Sequence, residues 1–196
     1  MPRPKTLTDE EVLEAALALM HERGPEALTF AGLANACGLS GATLVQRFGN
    51  KAALRQSVLL HAWDLLDGKT ARLAAAVPRT PEGAVALLVG LSKDYGGIES
   101  YAEGLLILRE DLRDPVLRAR GTAWREALSA ALDDCFSGSP RAPHGIGLLM
   151  ASQWQGALLW WSFDPRASVE DFVGDSLRHF VSVVLEPTPP NPPGEA

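Results

Sequence analysis

The stretch Leu33-Ala34-Asn35-Ala36-Cys37-Gly38-Leu39-Ser40 decides the fold. Its small residues let two helices approach, Gly38 permits a tight turn, and Ser40 is a capping type, which together make the grammar of a helix-turn-helix. Backwards from it, Thr29 can cap a short helix running through Ala36 with Leu33 inward. Forwards, Ser40 starts a further helix of about two turns that ends near Phe48 and Gly49. There Leu44 and Phe48 are four apart and face inward, leaving Thr43, Gln46 and Arg47 together on the outer side. These are groove-reading types: Arg47 can pair with guanine or a phosphate, Gln46 with adenine, and the Thr43 methyl with a thymine methyl. Lys51 and the backbone amides at the next helix start can hold a phosphate.

Outward from this motif, apolar spacing is helical almost everywhere and alternating β-branched runs are absent, so the expected fold class is all-α with about nine helices. Thr8 and Glu11 form a capping box, and Val12, Leu13, Ala16, Leu17 and Met20 make one apolar stripe up to Gly24-Pro25. Asn50 caps a long helix marked by Leu54, Val58, Ala62 and Leu65, continuing to about Ala76 before Pro78 and Pro81. Further helices are expected over 82–95, 99–111, 115–136, 143–163 and 169–185, separated by Gly, Pro or Asp-Pro breaks. This gives a three-helix head over 1–50, a body over 51–186 and a Pro-rich tail over 187–196 that cannot continue a helix.

Length and composition bound the function. A chain of 196 residues that is 46% hydrophobic can bury its own core. Cys37 and Cys135 lie far apart with no CxxC pair, which suggests neither a disulfide framework nor a zinc site and fits a reducing cytoplasm. Met1-Pro-Arg-Pro-Lys-Thr runs into Asp9, Glu10 and Glu11 without an apolar stretch of signal-peptide type, so export is not expected. Residues 142–163 lack Asp, Glu, Lys and Arg, but Gln153 and Gln155 at the middle would be costly in lipid, so no membrane span is expected.

The net charge of −6 argues against a generic nucleic-acid binder, and its distribution argues the other way. From Ala27 to Trp63 there is no Asp or Glu, while Arg47, Lys51 and Arg55 fall inside that window. On sequence alone, a phosphate backbone could approach this surface without meeting a carboxylate.

A family resemblance joins these signals: Val12-Leu-Glu-Ala-Ala-Leu-Ala-Leu to Arg23-Gly24, Leu28-Thr29-Phe30, Leu33-Ala34, Gly38-Leu39-Ser40, Thr43-Leu44, Arg47-Phe48 and Lys51-Ala-Ala-Leu54. The first third of the chain resembles the tetracycline-repressor (TetR) family. The resemblance implies an all-helical, cytoplasmic homodimer whose head binds a palindromic double-stranded DNA operator and whose body takes a small-molecule effector that lowers DNA affinity. Carried over by position, Thr29, Ser40, Gly41, Thr43, Val45, Gln46, Arg47 and Lys51 are the implied DNA-contacting residues. Two departures weaken the grip: Gly41-Ala42 stands where the family often has Lys-Gly, and Val45 where it usually has an aromatic residue. Arg3 and Lys5 either compensate from a minor groove or belong to a frayed terminus.

The body offers residue types rather than motifs. Trp63, Tyr95, Tyr101, Trp124, Met150 and Trp154 either surround the effector cavity that the resemblance implies or pack as core. Glu103 and Arg109 either orient a polar group of a largely apolar effector or form an exposed ion pair. Leu158 and Trp161 of the eighth helix, with Val169, Phe172, Val173, Leu177, Phe180 and Val184 of the ninth, are the implied dimer interface; the alternative is a monomer's core. An enzyme acting on an apolar substrate is the weaker reading. His21, His61, His144 and His179 show no HExxH spacing, no GxSxG elbow exists and no Gly-rich phosphate loop follows a strand, so no catalytic residue, metal or cofactor is expected. An interaction protein with a degenerate head is left open by Gly41, Ala42 and Val45.

Overall fold

The computed structural model describes residues 7–186, all of whose regular elements are helical. Nine α-helices run in order: α1 Asp9–Arg23, α2 Phe30–Cys37, α3 Gly41–Phe48, α4 Lys51–Ala76, α5 Pro81–Ser92, α6 Ile98–Arg113, α7 Pro115–Cys135, α8 Ile146–Phe163 and α9 Val169–Leu185. Two short 3₁₀ turns, Pro25–Ala27 and Lys93–Tyr95, precede α2 and α6. Arg3, Lys5 and the Pro-rich tail lie outside the described residues.

The starts of the helices are set by the side chains the sequence offers. Thr8 accepts from the Glu11 amide at 3.2 Å while the Glu11 carboxylate accepts from the Thr8 amide at 2.7 Å, a complete capping box. Thr29, Ser40 and Asn50 cap α2, α3 and α4 by accepting from Gly32, Thr43 and Ala53. The largest departures from expectation are at two boundaries. The expected helix over 82–95 stops at Ser92 and tightens into a 3₁₀ turn, and α8 begins at Ile146 rather than Pro143, after Gly145 takes a left-handed conformation.

The chain packs as two compact units. The first comprises residues 7–75 and 94–127 of the described chain, the second 76–93 and 128–186, so α7 gives its two halves to different units. Packing therefore does not divide at residue 50.

In the first unit one core runs from the head into α6 and α7: Val12, Ala16, Met20, Leu28, Leu33, Leu44, Leu54, Val58 and Leu59, joined by Ile107 and Leu117. Each fully buried leucine contributes roughly 1.5–3 kcal/mol, so Leu33, Leu44 and Leu54 fix α2 and α3 against α4 more firmly than helix propensity could over eight residues. The second unit buries Leu87, Leu88, Met150, Trp154, Leu158, Val173 and Leu177 where α5, α8 and α9 pack, and Leu132 of α7 is buried as well. Gly147 is needed there, because a Cβ would collide with the Ser129 carbonyl oxygen while the Gly147 amide donates to Asp133 Oδ1 at 2.7 Å.

No helix among the described residues is long and apolar enough to cross a membrane.

Candidate nucleic-acid interface and effector cleft

The turn between α2 and α3 is built by Gly38, whose φ of 67° and ψ of 27° cap α2 in the left-handed region, with the Leu39 amide donating to the Ala34 carbonyl at 3.2 Å. Ser40 then starts α3, and its hydroxyl and that of Thr43 share a hydrogen bond of 2.8 Å. Leu44 is fully buried and Phe48 packs partly against the same core, so the opposite face of α3 is left to solvent. Val45, 46% exposed, and Gln46 stand on that face, Thr43 and Gly41 are half-buried, and Thr29 is exposed at the start of α2.

Arg47 does not project with them. Its Nη1 donates to the Leu7 carbonyl oxygen at 2.8 Å and lies 3.4 Å from Asp9 Oδ1, which ties α3 back to the start of α1. Lys51 remains on the surface, with Nζ 3.6 Å from Glu26 Oε2. Arg55 pairs with Glu110 Oε2 at 2.9 Å, and the Glu110 side chain is nearly buried. The expectation of a carboxylate-free surface is thus corrected: all three cations of the acid-free window meet acids that the fold brings from outside it. The pairs differ in strength. Exposed pairs such as Lys51–Glu26 are worth about 0–1 kcal/mol and yield easily to a phosphate, whereas Arg55–Glu110 is sheltered.

The eight residues expected around an effector divide between the units. Met150 and Trp154 are buried in the second unit, where Trp154 Nε1 donates to Ser92 Oγ at 2.8 Å, so both serve as core there. The other six fall in the first. Trp63 and Trp124 stack tilted with centroids 5.8 Å apart, Trp124 Nε1 donates to Thr70 Oγ1 at 3.0 Å, and Tyr95 meets Tyr101 edge-on at 5.4 Å. Arg109 pairs with Glu110 at 3.4 Å rather than with Glu103, whose Oε2 is buried without a hydrogen bond.

Trp63 and Tyr95 line a cleft of about 260 Å³ between α1, α4 and α6, together with His21, Leu59, Ala62, Leu66, Gly104, Ile107, Leu108 and Asp111. Asp111 is the residue that sequence reasoning missed. Its Oδ1 accepts from Trp63 Nε1 at 3.3 Å. Burial pushes its pKa up to about 6; the Trp63 hydrogen bond opposes the rise, and the neighbouring charges of Asp114 and Glu110 add to it. Burial also lowers the pKa of His21. The signal was present: Gly104, Ile107 and Asp111 share one helical stripe, and a carboxylate at its end falls on the inward register.

The residues expected at a dimer interface differ in burial within the single chain. Leu158, Trp161, Val169, Val173 and Leu177 are buried within the second unit, Phe180 and Val184 are half-buried, and Phe172 alone of the eight is exposed. The outward apolar residues of α8 and α9 are instead Leu148, Leu149, Leu159, Trp160, Phe163 and Val183, with Trp160 at 67% and Phe163 at 75% exposure.

Residues 12–58 match the family model described as bacterial regulatory proteins, tetR family. Among solved structures, the chain is similar to the TetR family transcriptional regulator PfmR from Thermus thermophilus, at 23% identity over 89% of this chain and 96% of that one, with a TM-score of 0.59. It is also similar to the multidrug binding protein EbrR complexed with imidazole, at 18% identity over 97% and 100% of the two chains with a TM-score of 0.62. A third likeness is to AibR in complex with isovaleryl coenzyme A and operator DNA, at 20% identity over 86% and 95% with a TM-score of 0.62. No curated protein sequence matches this chain.

Proposed function

We propose, because residues 12–58 match the family model described as bacterial regulatory proteins, tetR family, that the protein is a homodimeric DNA-binding transcriptional regulator, a cytoplasmic repressor released from a palindromic operator by a small molecule. The observation that carries this is α3, a two-turn helix locked from behind by Leu44, capped by Ser40 and showing Val45 and Gln46 to solvent. A helix of that kind fits a major groove, with Thr43, Gln46, Gly41 and Val45 toward the bases and Ser40, Thr29 and Lys51 toward phosphates. Two-fold half-sites require two heads, and the outward apolar residues of α8 and α9 supply a surface for the second copy. The functional division is a DNA-binding head over 1–50 and a ligand-binding, dimerising body over 51–186. The solved structures that carry imidazole or isovaleryl coenzyme A support a small-molecule effector here.

A second reading, an interaction protein whose head has lost DNA binding, is favoured by one observation: Arg47, Lys51 and Arg55 are all engaged with carboxylates. A mobility-shift titration with the DNA upstream of the protein's own coding region, run at several salt concentrations, decides between them. The regulator reading expects a sequence-dependent shift that weakens steeply with salt. Absence of any shift at low salt overturns it in favour of the second.

A further inference from the structure

We propose that the cleft between α1, α4 and α6 binds a small organic monocation, an amine or quaternary ammonium carrying an apolar body, with Asp111 as its counter-ion. The proposal deepens the regulator reading by naming the effector's chemistry, and it rests on that reading only for the consequence at DNA.

The charge arrangement around α6 carries the argument. Glu110 collects three guanidinium groups, those of Arg55 at 2.9 Å, Arg109 at 3.4 Å and Arg113 at 4.0 Å. Asp111, the next residue, collects none: among the described residues its polar partner is the neutral Trp63 indole, and its charged neighbours, Asp114 and Glu110, repel it. Asp111 is nonetheless only 9% exposed and forms part of an otherwise largely apolar wall. A buried anion without a cation is costly, and the raised pKa of this carboxyl registers that cost as a preference for the proton. A ligand cation would relieve the same cost.

The remaining walls select among ligand classes. A neutral apolar ligand would complete the burial of Asp111 and leave its charge uncompensated, and an anion would be repelled. Trp63 and Tyr95 offer aromatic rings, which attract cations across their faces. His21 does not compete as a cation, because burial favours its neutral form. With about 260 Å³ available, below the range of drug-sized pockets, the ligand is small.

The test uses the full chain near pH 7.5 and calorimetric titration with four probes: benzylammonium, benzyltrimethylammonium, benzyl alcohol and phenylacetate. Both cations should bind measurably, with phenylacetate and benzyl alcohol at least tenfold weaker. Asp111→Asn should cost the cations tenfold or more and leave benzyl alcohol unchanged. Gly104→Leu gives an independent control, since a Cβ there meets nothing within 4 Å and the longer side chain would occupy the cleft. It should abolish cation binding while the melting temperature holds or rises. Equal affinity for benzyl alcohol and benzylammonium, or cation binding undiminished in both variants, overturns the proposal. The mobility shift separates the two readings: cations that bind to a chain showing no DNA shift support the cleft and sink the regulator, and a DNA shift with no cation binding does the reverse.

Discussion

The Arg47 guanidinium lies 3.4 Å from the Asp9 carboxylate, with the Leu7 carbonyl oxygen accepting from the same Nη1 at 2.8 Å. This joins the last turn of α3 to the start of α1, with Leu7 lying 40 residues earlier in the chain. An arginine that spacing alone assigns to DNA is thus a strut inside the head, where its charge also meets the acidic first turn of α1.

Arg47→Ala should therefore lower stability before it alters base preference. Hydrogen bonds to charged groups are worth about 1.5–3 kcal/mol and an exposed pair adds at most about 1, so a loss of roughly 2 kcal/mol in urea denaturation is expected. Asp9→Asn keeps the Leu7 contact and should cost less than about 1 kcal/mol. If Arg47→Ala leaves the denaturation midpoint untouched and instead relaxes preference at one base pair, the guanidinium swings out to a guanine on binding.

The Lys51–Glu26 pair makes the opposite prediction. Its members are exposed and 3.6 Å apart, so stability hardly depends on it, while the carboxylate competes with phosphate for the ammonium. Glu26→Gln should raise affinity a few-fold for all DNA sequences alike, and Lys51→Ala should lower it and reduce the salt slope by about 1, the loss of one phosphate contact. Filter binding over a range of salt concentrations reads both. An unchanged slope in Lys51→Ala would remove Lys51 from the interface.

The contrast between these two cations shows what the sequence could and could not say. The caps at Thr8, Thr29, Ser40 and Asn50, the turn at Gly38 and the inward pair Leu44 and Phe48 are local features, fixed by residues within a few positions, and they were legible. The ion pairs were not, because Asp9, Glu26 and Glu110 reach Arg47, Lys51 and Arg55 only through tertiary packing. The burial of Leu158 and Trp161 within the second unit was illegible for the same reason. Helix α8 is apolar around most of its circumference, so periodicity could not separate its inner face from the outer one that carries Trp160 and Phe163.

Gly38 tests the turn itself. Its φ of 67° disfavours side chains, yet a Cβ would meet nothing within 4 Å, so the cost of Gly38→Ala is backbone strain alone, about 1–2 kcal/mol. Gly38→Asn should recover part of it, because asparagine tolerates the left-handed region. Equal stability of all three chains in thermal denaturation would mean that the turn relaxes.

Association through the outer faces of α8 and α9 predicts different fates for neighbouring residues. Trp160→Glu alters a side chain that is 67% exposed, so it should leave the helical spectrum intact and convert a dimer to a monomer in sedimentation. Leu177→Ala empties a fully buried position and should cost about 2–5 kcal/mol of folding stability whatever the oligomeric state. A wild-type chain that sediments as a monomer at micromolar concentration would overturn the dimer.

Asp111 gives stability a pH dependence of opposite sign to that of most carboxylates. Its pKa rises from 3.8 to about 6 on folding, chiefly through burial, so between those values the folded chain holds a proton that the unfolded chain has released. Folding is then penalised above about pH 6, and the penalty is relieved as pH falls through 6, vanishing below about 4. Asp111→Asn removes the charge and keeps an acceptor for the Trp63 indole. The variant should exceed the wild type by on the order of 2 kcal/mol at pH 8, with the excess shrinking through pH 6 and gone near pH 4. Denaturant titrations of both chains at pH 8, 6 and 4 measure the difference directly. A difference that is constant across that range would mean that Asp111 is solvated enough to ionise normally, and the counter-ion role in the cleft would lose its electrostatic basis.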